Sequence, residues 1–230
     1  MNSKSKRAEY KEWLDHGYTG PRNPGDKEAL LKVAGAFDAV QRDGKLTKNR
    51  LQTVVNGVSS KKALVWDGSS TLLMFLSEQF PEAATAILEL SRSKQGHVRF
   101  NALCCLGKPT PPDVVDAAIR SGLTDKSSRV RWKAAQQAHV LNRVNLVPDI
   151  TAALEAERHA KTRESLDLSL KLLRDGYTLE EQKDGRFFLT VSYRGGFCCR
   201  YVSANEMKSL GVEAIAAEMR DEQNAMRGLP

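Results

Sequence analysis

One register repeats along this chain and limits its fold more than any other feature. The dipeptides Val98-Arg99, Val130-Arg131 and Thr162-Arg163 are spaced by 32 residues. At the same spacing run Ala102, Ala134 and Leu166, followed by Leu106, Ala138 and Leu170. Ser93, Asp125 and Glu157 hold the register ahead of the dipeptides, each where a helix would start and a side-chain oxygen can accept from free backbone amides. A period of this length marks an array of small units, each burying its apolar face only by stacking on its neighbours.

Inside each unit the apolar residues follow helical spacing, as in Val130, Ala134, Ala138 and Leu141, or Leu166, Leu170 and Leu173. These read as first helices of helical pairs. Second helices fall between them, at Pro111 to Leu123 and at Asn145 to Glu157, with Pro148 tolerable in a first turn. An earlier pair, Ser69 to Phe80 and Pro81 to Leu90, fits the register loosely, and Trp66-Asp67 in WDGSS before it has the composition of a surface turn. Upstream, Asp26 to Val40 and Leu46 to Val58 read as amphipathic helices, the second capped by Thr47. The first two dozen residues are polar and read as loosely held, with Trp13 and Tyr18 as the available anchors.

After Gly176 the period becomes alternating. Tyr177 to Lys183, Arg186 to Arg194 and Phe197 to Ser203 read as a three-stranded meander joined by two-residue turns at Asp184-Gly185 and Gly195-Gly196. Ser203-Ala204-Asn205-Glu206 is a capping-box pattern for one closing helix to about Asp221. This module is too small to stand alone and is expected to dock on the last helical pair.

Residues 125 to 141, DKSSRVRWKAAQQAHVL, read as an Asp, then Val-Arg, then small residues and a Leu. Residues 93 to 107 repeat the pattern, and 157 to 173 keep the Arg and the leucines with Thr162 in place of Val. In this the chain resembles the HEAT-repeat family, in its short bacterial form. The resemblance implies a mainly α fold, an α-solenoid of HEAT-like pairs. To it the pattern adds a helical cap over 1–60, repeats over 61–176, and a three-stranded antiparallel sheet plus helix over 177–230. The resemblance also implies that the repeated Arg ties units together through a carboxylate or a helix-end carbonyl. The family includes scaffolds, chromophore lyase subunits and DNA glycosylases, so the repeat alone selects no activity.

Charge narrows the partner class. The chain carries 35 Lys plus Arg against 28 Asp plus Glu, and residues 91–140 hold 9 basic against 3 acidic groups. Arg99, Arg131 and Arg163 sit at repeat positions and are expected to serve the framework. Arg92, Arg120, Lys126, Arg129 and Lys133 sit where the repeat requires nothing, and with Trp132 they are the candidate partner-binding residues. Arg129 and Lys133 fall one helical turn apart, within reach of successive carboxylates or phosphates. Phe100, one period before Trp132, completes an aromatic pair that either packs between units or stacks bases.

Enzyme signatures are missing: the sequence has no G-x-G-x-x-G, P-loop, H-E-x-x-H or G-x-S-x-G. No catalytic residue, metal site or cofactor is assigned. His16, His97, His139 and His159 are scattered, which fits exposed or hydrogen-bonded histidines. Cys104-Cys105 and Cys198-Cys199 lack zinc spacing and read as buried thiols or strand residues. No stretch is apolar enough for a membrane helix and no secretion leader is evident, so a cytoplasmic protein is expected. The expected function is non-catalytic binding of another protein with an acidic surface, as an adaptor or immunity protein. The alternative is a nucleic-acid-binding protein or HEAT-like DNA glycosylase.

Overall fold

The computed structural model describes residues 5–17, 23–193 and 196–226. The fold is mainly helical with one small antiparallel sheet. The chain divides into two compact units, Met1–Gly122 and Leu123–Pro230.

The first unit contains α1 (Lys6–Glu12) with a π-helical turn at Trp13–Gly17, α2 (Pro24–Asp43), α3 (Lys48–Val58), α4 (Ala63–Gln79), α5 (Pro81–Ser91), α6 (Gly96–Cys104) and α7 (Pro112–Leu123), whose last residue opens the second unit. Helix ends follow local chemistry. Thr47 Oγ1 accepts from Arg50 N at 3.4 Å to start α3, and Gly44 ends α2 at φ 65° with its N–H on Val40 O. The polar leader is tied down more firmly than its composition suggests. Asp38 on α2 accepts the Lys6 and Arg7 backbone amides at 2.8 and 2.9 Å, which satisfies the open amino end of α1. Leu14 is the buried anchor here and Trp13 is exposed, while Tyr18 lies outside the described residues.

Helix α4 corrects the reading of WDGSS as a turn. The helix starts at Ala63 and runs through Trp66, Asp67 and Gly68. Gly68 is needed for close approach, since a Cβ there would meet Leu30 Cδ1 of α2 at 2.6 Å. Gly57 does the same for α3: its Cβ would meet Ser69 Oγ at 2.2 Å and Val33 Cγ2 at 2.9 Å. Asn101 then fastens α6 to the end of α3, donating through Nδ2 to Val58 O at 2.8 Å and Ser60 O at 3.2 Å.

The second unit contains α8 (Ser128–Val140), a 3₁₀ turn at Val144–Leu146, α9 (Val147–Ala156), α10 (Ala160–Arg174), β1 (Tyr177–Glu181), β2 (Phe187–Tyr193), β3 (Gly196–Val202), α11 (Ala204–Leu210) and α12 (Val212–Met226). The 32-residue register appears here, and in α6 of the first unit, as one recurring local geometry. The residues before α6, α8 and α10 are Gln95, Ser127 and His159, with φ/ψ of −90/120°, −88/119° and −85/113°. Their amides are accepted by Ser93 Oγ at 3.2 Å, Asp125 Oδ1 at 2.7 Å and Glu157 Oε1 at 2.8 Å. Arg99, Arg131 and Arg163 each reach back six residues to the carbonyls of Ser93, Asp125 and Glu157, at 2.9, 2.7 and 3.3 Å. Val98, Val130 and Thr162 are all buried third residues of their helices. Thr162 is tolerated because its hydroxyl lies 3.2 Å from His159 Nδ1.

Within the second unit the register is also linked from one period to the next. Arg131 donates from Nε and Nη2 to Glu157 Oε2 and Oε1 at 2.7 and 2.8 Å, while Glu157 Oε1 also takes the amides of Arg158 and His159. The Arg131 guanidinium, burial opposing it and the two amides helping it, holds the Glu157 carboxyl down to about 2.

The sheet has the order β1-β2-β3, all antiparallel. One face carries Leu189, Val191 and Val202 onto Ile215, Ala216 and Met219 of α12. On the other face Thr178, Thr190 and Ser192 are buried, and Phe197 meets His139 of α8 with ring centroids 5.8 Å apart. Two turn expectations change. The Asp184 turn is a three-residue loop closed by Gln182 N–H on Arg186 O, with Gly185 at φ 77° in its last place, and Gly195 lies outside the described residues. The closing helix is two helices, because Gly211 at φ 80° and ψ 149° breaks it after the Ser203 cap has started α11.

Two outcomes test this packing. Gly57→Ala forces Ser69 and Val33 apart and lowers unfolding free energy by about 2 kcal/mol in urea titration. Glu157→Gln leaves Arg131 half-buried without its countercharge and costs about 3 kcal/mol in the same measurement.

Candidate functional site

The cations that the repeat does not consume fall in both units. In the second unit, Lys126 is exposed in the turn before α8, Arg129 is exposed at the second position of that helix, and Lys133 follows one turn later, half-buried. Lys133 Nζ donates to Gln136 Oε1 at 2.9 Å, which fixes the ammonium along the helix. Trp132 is half-buried in the same turn. The start of α8 therefore presents Lys126, Arg129, Trp132 and Lys133 within two helical turns, at an end whose dipole adds positive potential. Arg92, after α5, and Arg120, in the last turn of α7, are exposed in the first unit.

The arginines of the repeat are a separate population. Arg99 is buried, and Arg131 spends its whole fork on Asp125 O and Glu157. Phe100 does not serve as a base-stacking platform, since it is buried and meets Trp66 edge-on with centroids 6.0 Å apart. Trp66 is thereby a packing residue of the first unit.

His139 and Ser169 form a buried polar pair between α8 and α10. Nδ1 lies 3.0 Å from Ser169 Oγ, and that hydroxyl donates to Ser165 O at 2.9 Å, which assigns the Nδ1–H donor tautomer to the histidine. With its proton on a carbonyl and its oxygen enclosed, Ser169 is not arranged as a nucleophile. Burial pushes His139 down to about 4 and the Cys105 thiol up to about 12, so neither is charged near neutral pH. All four cysteines are free thiols, and Cys198 and Cys199 are strand residues as their alternating surroundings suggest. Among the described residues no group of three or more His, Cys, Asp or Glu could hold a metal ion.

Two surface features were not picked out from the sequence. An open groove of about 550 Å³ in the first unit is lined by Arg7, Lys27 and Lys32 with Glu28, and Lys27 is paired to Asp15. On the sheet, Phe188 and Tyr201 pack at 5.2 Å between centroids, and Arg186 lies 4.4 Å over the Tyr201 ring. The signal available for the second was the alternation of Phe197, Cys199 and Tyr201 along one strand. No protein-family model matches the chain, and no curated protein matches it to significance. No helix among the described residues is long and apolar enough to cross a membrane.

The pH dependence of stability follows from His139. The folded state holds it neutral, so between about 6.5 and 4 the unfolded chain binds the extra proton. Stability is fully present above that window and falls by about 3 kcal/mol as the pH drops through it. In chemical denaturation at stepped pH, His139→Gln is expected to flatten that part of the profile, leaving the later acid loss between about 4.5 and 2, where the unfolded chain takes a proton on Glu157 that the folded state resists.

Proposed function

We propose that this chain is a non-catalytic binding protein whose helical pairs stack as a HEAT-like α-solenoid, and that it docks an acidic surface of another protein. Adaptors and immunity proteins work in this way, by covering a surface instead of transforming a substrate. Its place is a reducing compartment, the cytoplasm, where free thiols are the normal state.

One observation carries the reading, the division of the basic residues into two classes. The arginines at repeat positions are absorbed by their own helix entrances, and the exposed Lys126 and Arg129 with Lys133 flank a half-buried Trp132. An aromatic anchor ringed by cations suits a hot spot with electrostatic steering toward carboxylates. The Trp66–Phe100 packing weighs against Trp66 as the holder of an extruded base, because its ring is already engaged edge-to-face by the buried Phe100.

The test is affinity capture with the full chain and with the double variant Arg129→Glu, Lys133→Glu. Capture of the acidic partner should fall by ~tenfold or more with an unchanged melting temperature. Equal capture removes this face from the function. A labelled oligonucleotide retained with a log-log salt slope near −3, about one per released counterion at the three cations, would make nucleic acid the partner instead.

A further inference from the structure

We propose that two copies of this chain join edge to edge through β3, antiparallel about a two-fold axis at Cys199, into one continuous sheet. Ser192 N–H is bonded to Gly176 O at 2.8 Å, on the β1 side, so Ser192 and its partner Phe197 are a pair that exchanges no hydrogen bonds. The pairs Thr190↔Cys199 and Phe188↔Tyr201, two residues apart along the ladder, are of the same kind. The N–H and C=O groups of Phe197, Cys199 and Tyr201 therefore point away from β2, toward the open edge. No described backbone group outside the ladder bonds to them.

A two-fold axis at Cys199 uses all of these groups at once. It sets Cys199 against Cys199 and Phe197 of each copy against Tyr201 of the other, and these are the pairs that exchange both hydrogen bonds across the new seam. Phe197 is 45% exposed and Tyr201 52%, so each ring has surface left to bury, and both lie on the same sheet face. The strand is thus complementary to itself in hydrogen bonding and in its apolar side chains, as an isologous interface demands. A seam of this length covers less than the ~1,600 Å² of a standard interface, which places it among weak, reversible contacts.

Charge separates β3 from the other edge. The outer strand β1 carries exposed Glu180 and Glu181, the kind of acidic guard that keeps an edge from pairing. On β3 the single charge is Arg200, and its Nη2 is already 2.7 Å from Glu206 Oε1 of the same chain. The register sets Arg200 opposite Cys198 of the other copy, with its own Glu206 carboxylate beside it, so the seam brings no uncompensated charges together.

Sedimentation of the full chain over a micromolar concentration series tests the proposal, and a monomer–dimer equilibrium is expected. Cys199→Pro removes an outward N–H without touching the β2 ladder, and Tyr201→Lys places a charge against Phe197 of the other copy. Each should raise the dimer dissociation constant at least ~tenfold with an unchanged circular-dichroism spectrum, and Tyr201→Lys serves if the proline variant fails to fold. With diamide as added oxidant, the Cys199 thiols at the axis should link, because paired Cα atoms ~5.5 Å apart lie within disulfide range. Cys198→Ser should keep that link and Cys199→Ser should lose it. A monomer throughout the series, species larger than a dimer, a dimer that survives both variants, or a link independent of Cys199 overturns the proposal.

Discussion

A helix that starts against packed neighbours brings unmet amide hydrogens and nearby carbonyls to the same place, and this chain meets both with one device. A side-chain oxygen two residues before the cap takes the cap's amide, and an arginine on the helix's first turn returns to the carbonyl of that same residue. The distances are within ordinary hydrogen-bond range, and charge on the donor strengthens each bond. Arginine suits the task better than lysine. Its planar fork lets Nη1 of Arg131 hold Asp125 O while Nε and Nη2 hold both oxygens of Glu157. Because Glu157 is itself the acceptor at the next period, the start of α8 is tied directly to the start of α10.

That device also explains why the strongest periodic residues are the least informative about a partner. Arg99, Arg131 and Arg163 each donate to the carbonyl six residues back, from a buried, a half-buried and an exposed position respectively. Function has to be sought among cations that no period demands. Lys126, Arg129 and Lys133 satisfy that condition at the start of α8. Their helix is loaded at both ends, since its first turns carry the basic residues and its last carries His139 into the buried pair with Ser169.

Much of the fold could be read from residues with one local meaning. Pro81 and Pro148 lie in first turns, Thr47 and Ser203 cap, and the alternation after Gly176 becomes strands. Misreadings fall on residues with two meanings. Glycine marks a turn where φ is positive, as at Gly185 and Gly211, and a close helix contact where it is not, as at Gly57 and Gly68. In WDGSS the second meaning holds, and only the neighbouring helix decides it. Phe100 shows the same limit, because its spacing aligned it with Trp132 and only packing shows that it also meets Trp66. The polar leader looked loose because its anchors are backbone amides accepted by Asp38, thirty residues on, which no hydropathy pattern records.

The sheet closes the argument about where a partner can meet the second unit. One face is covered by α12, and on the other Thr178, Thr190 and Ser192 are buried while Phe197, Cys199 and Tyr201 along β3 stay exposed. Beside that exposed strip the β3 edge offers hydrogen bonds whose strength does not depend on salt. The start of α8 offers the opposite, a charged patch with an aromatic centre. Screening weakens the second with rising ionic strength and barely touches the first. Phe197 couples them mechanically, because it leaves the β3 edge to pack on His139 of the same helix that carries the cations. Pairing at the edge would bury that ring further and stabilise the unit by mass action, so a partner on α8 would meet a scaffold made firmer by the second copy.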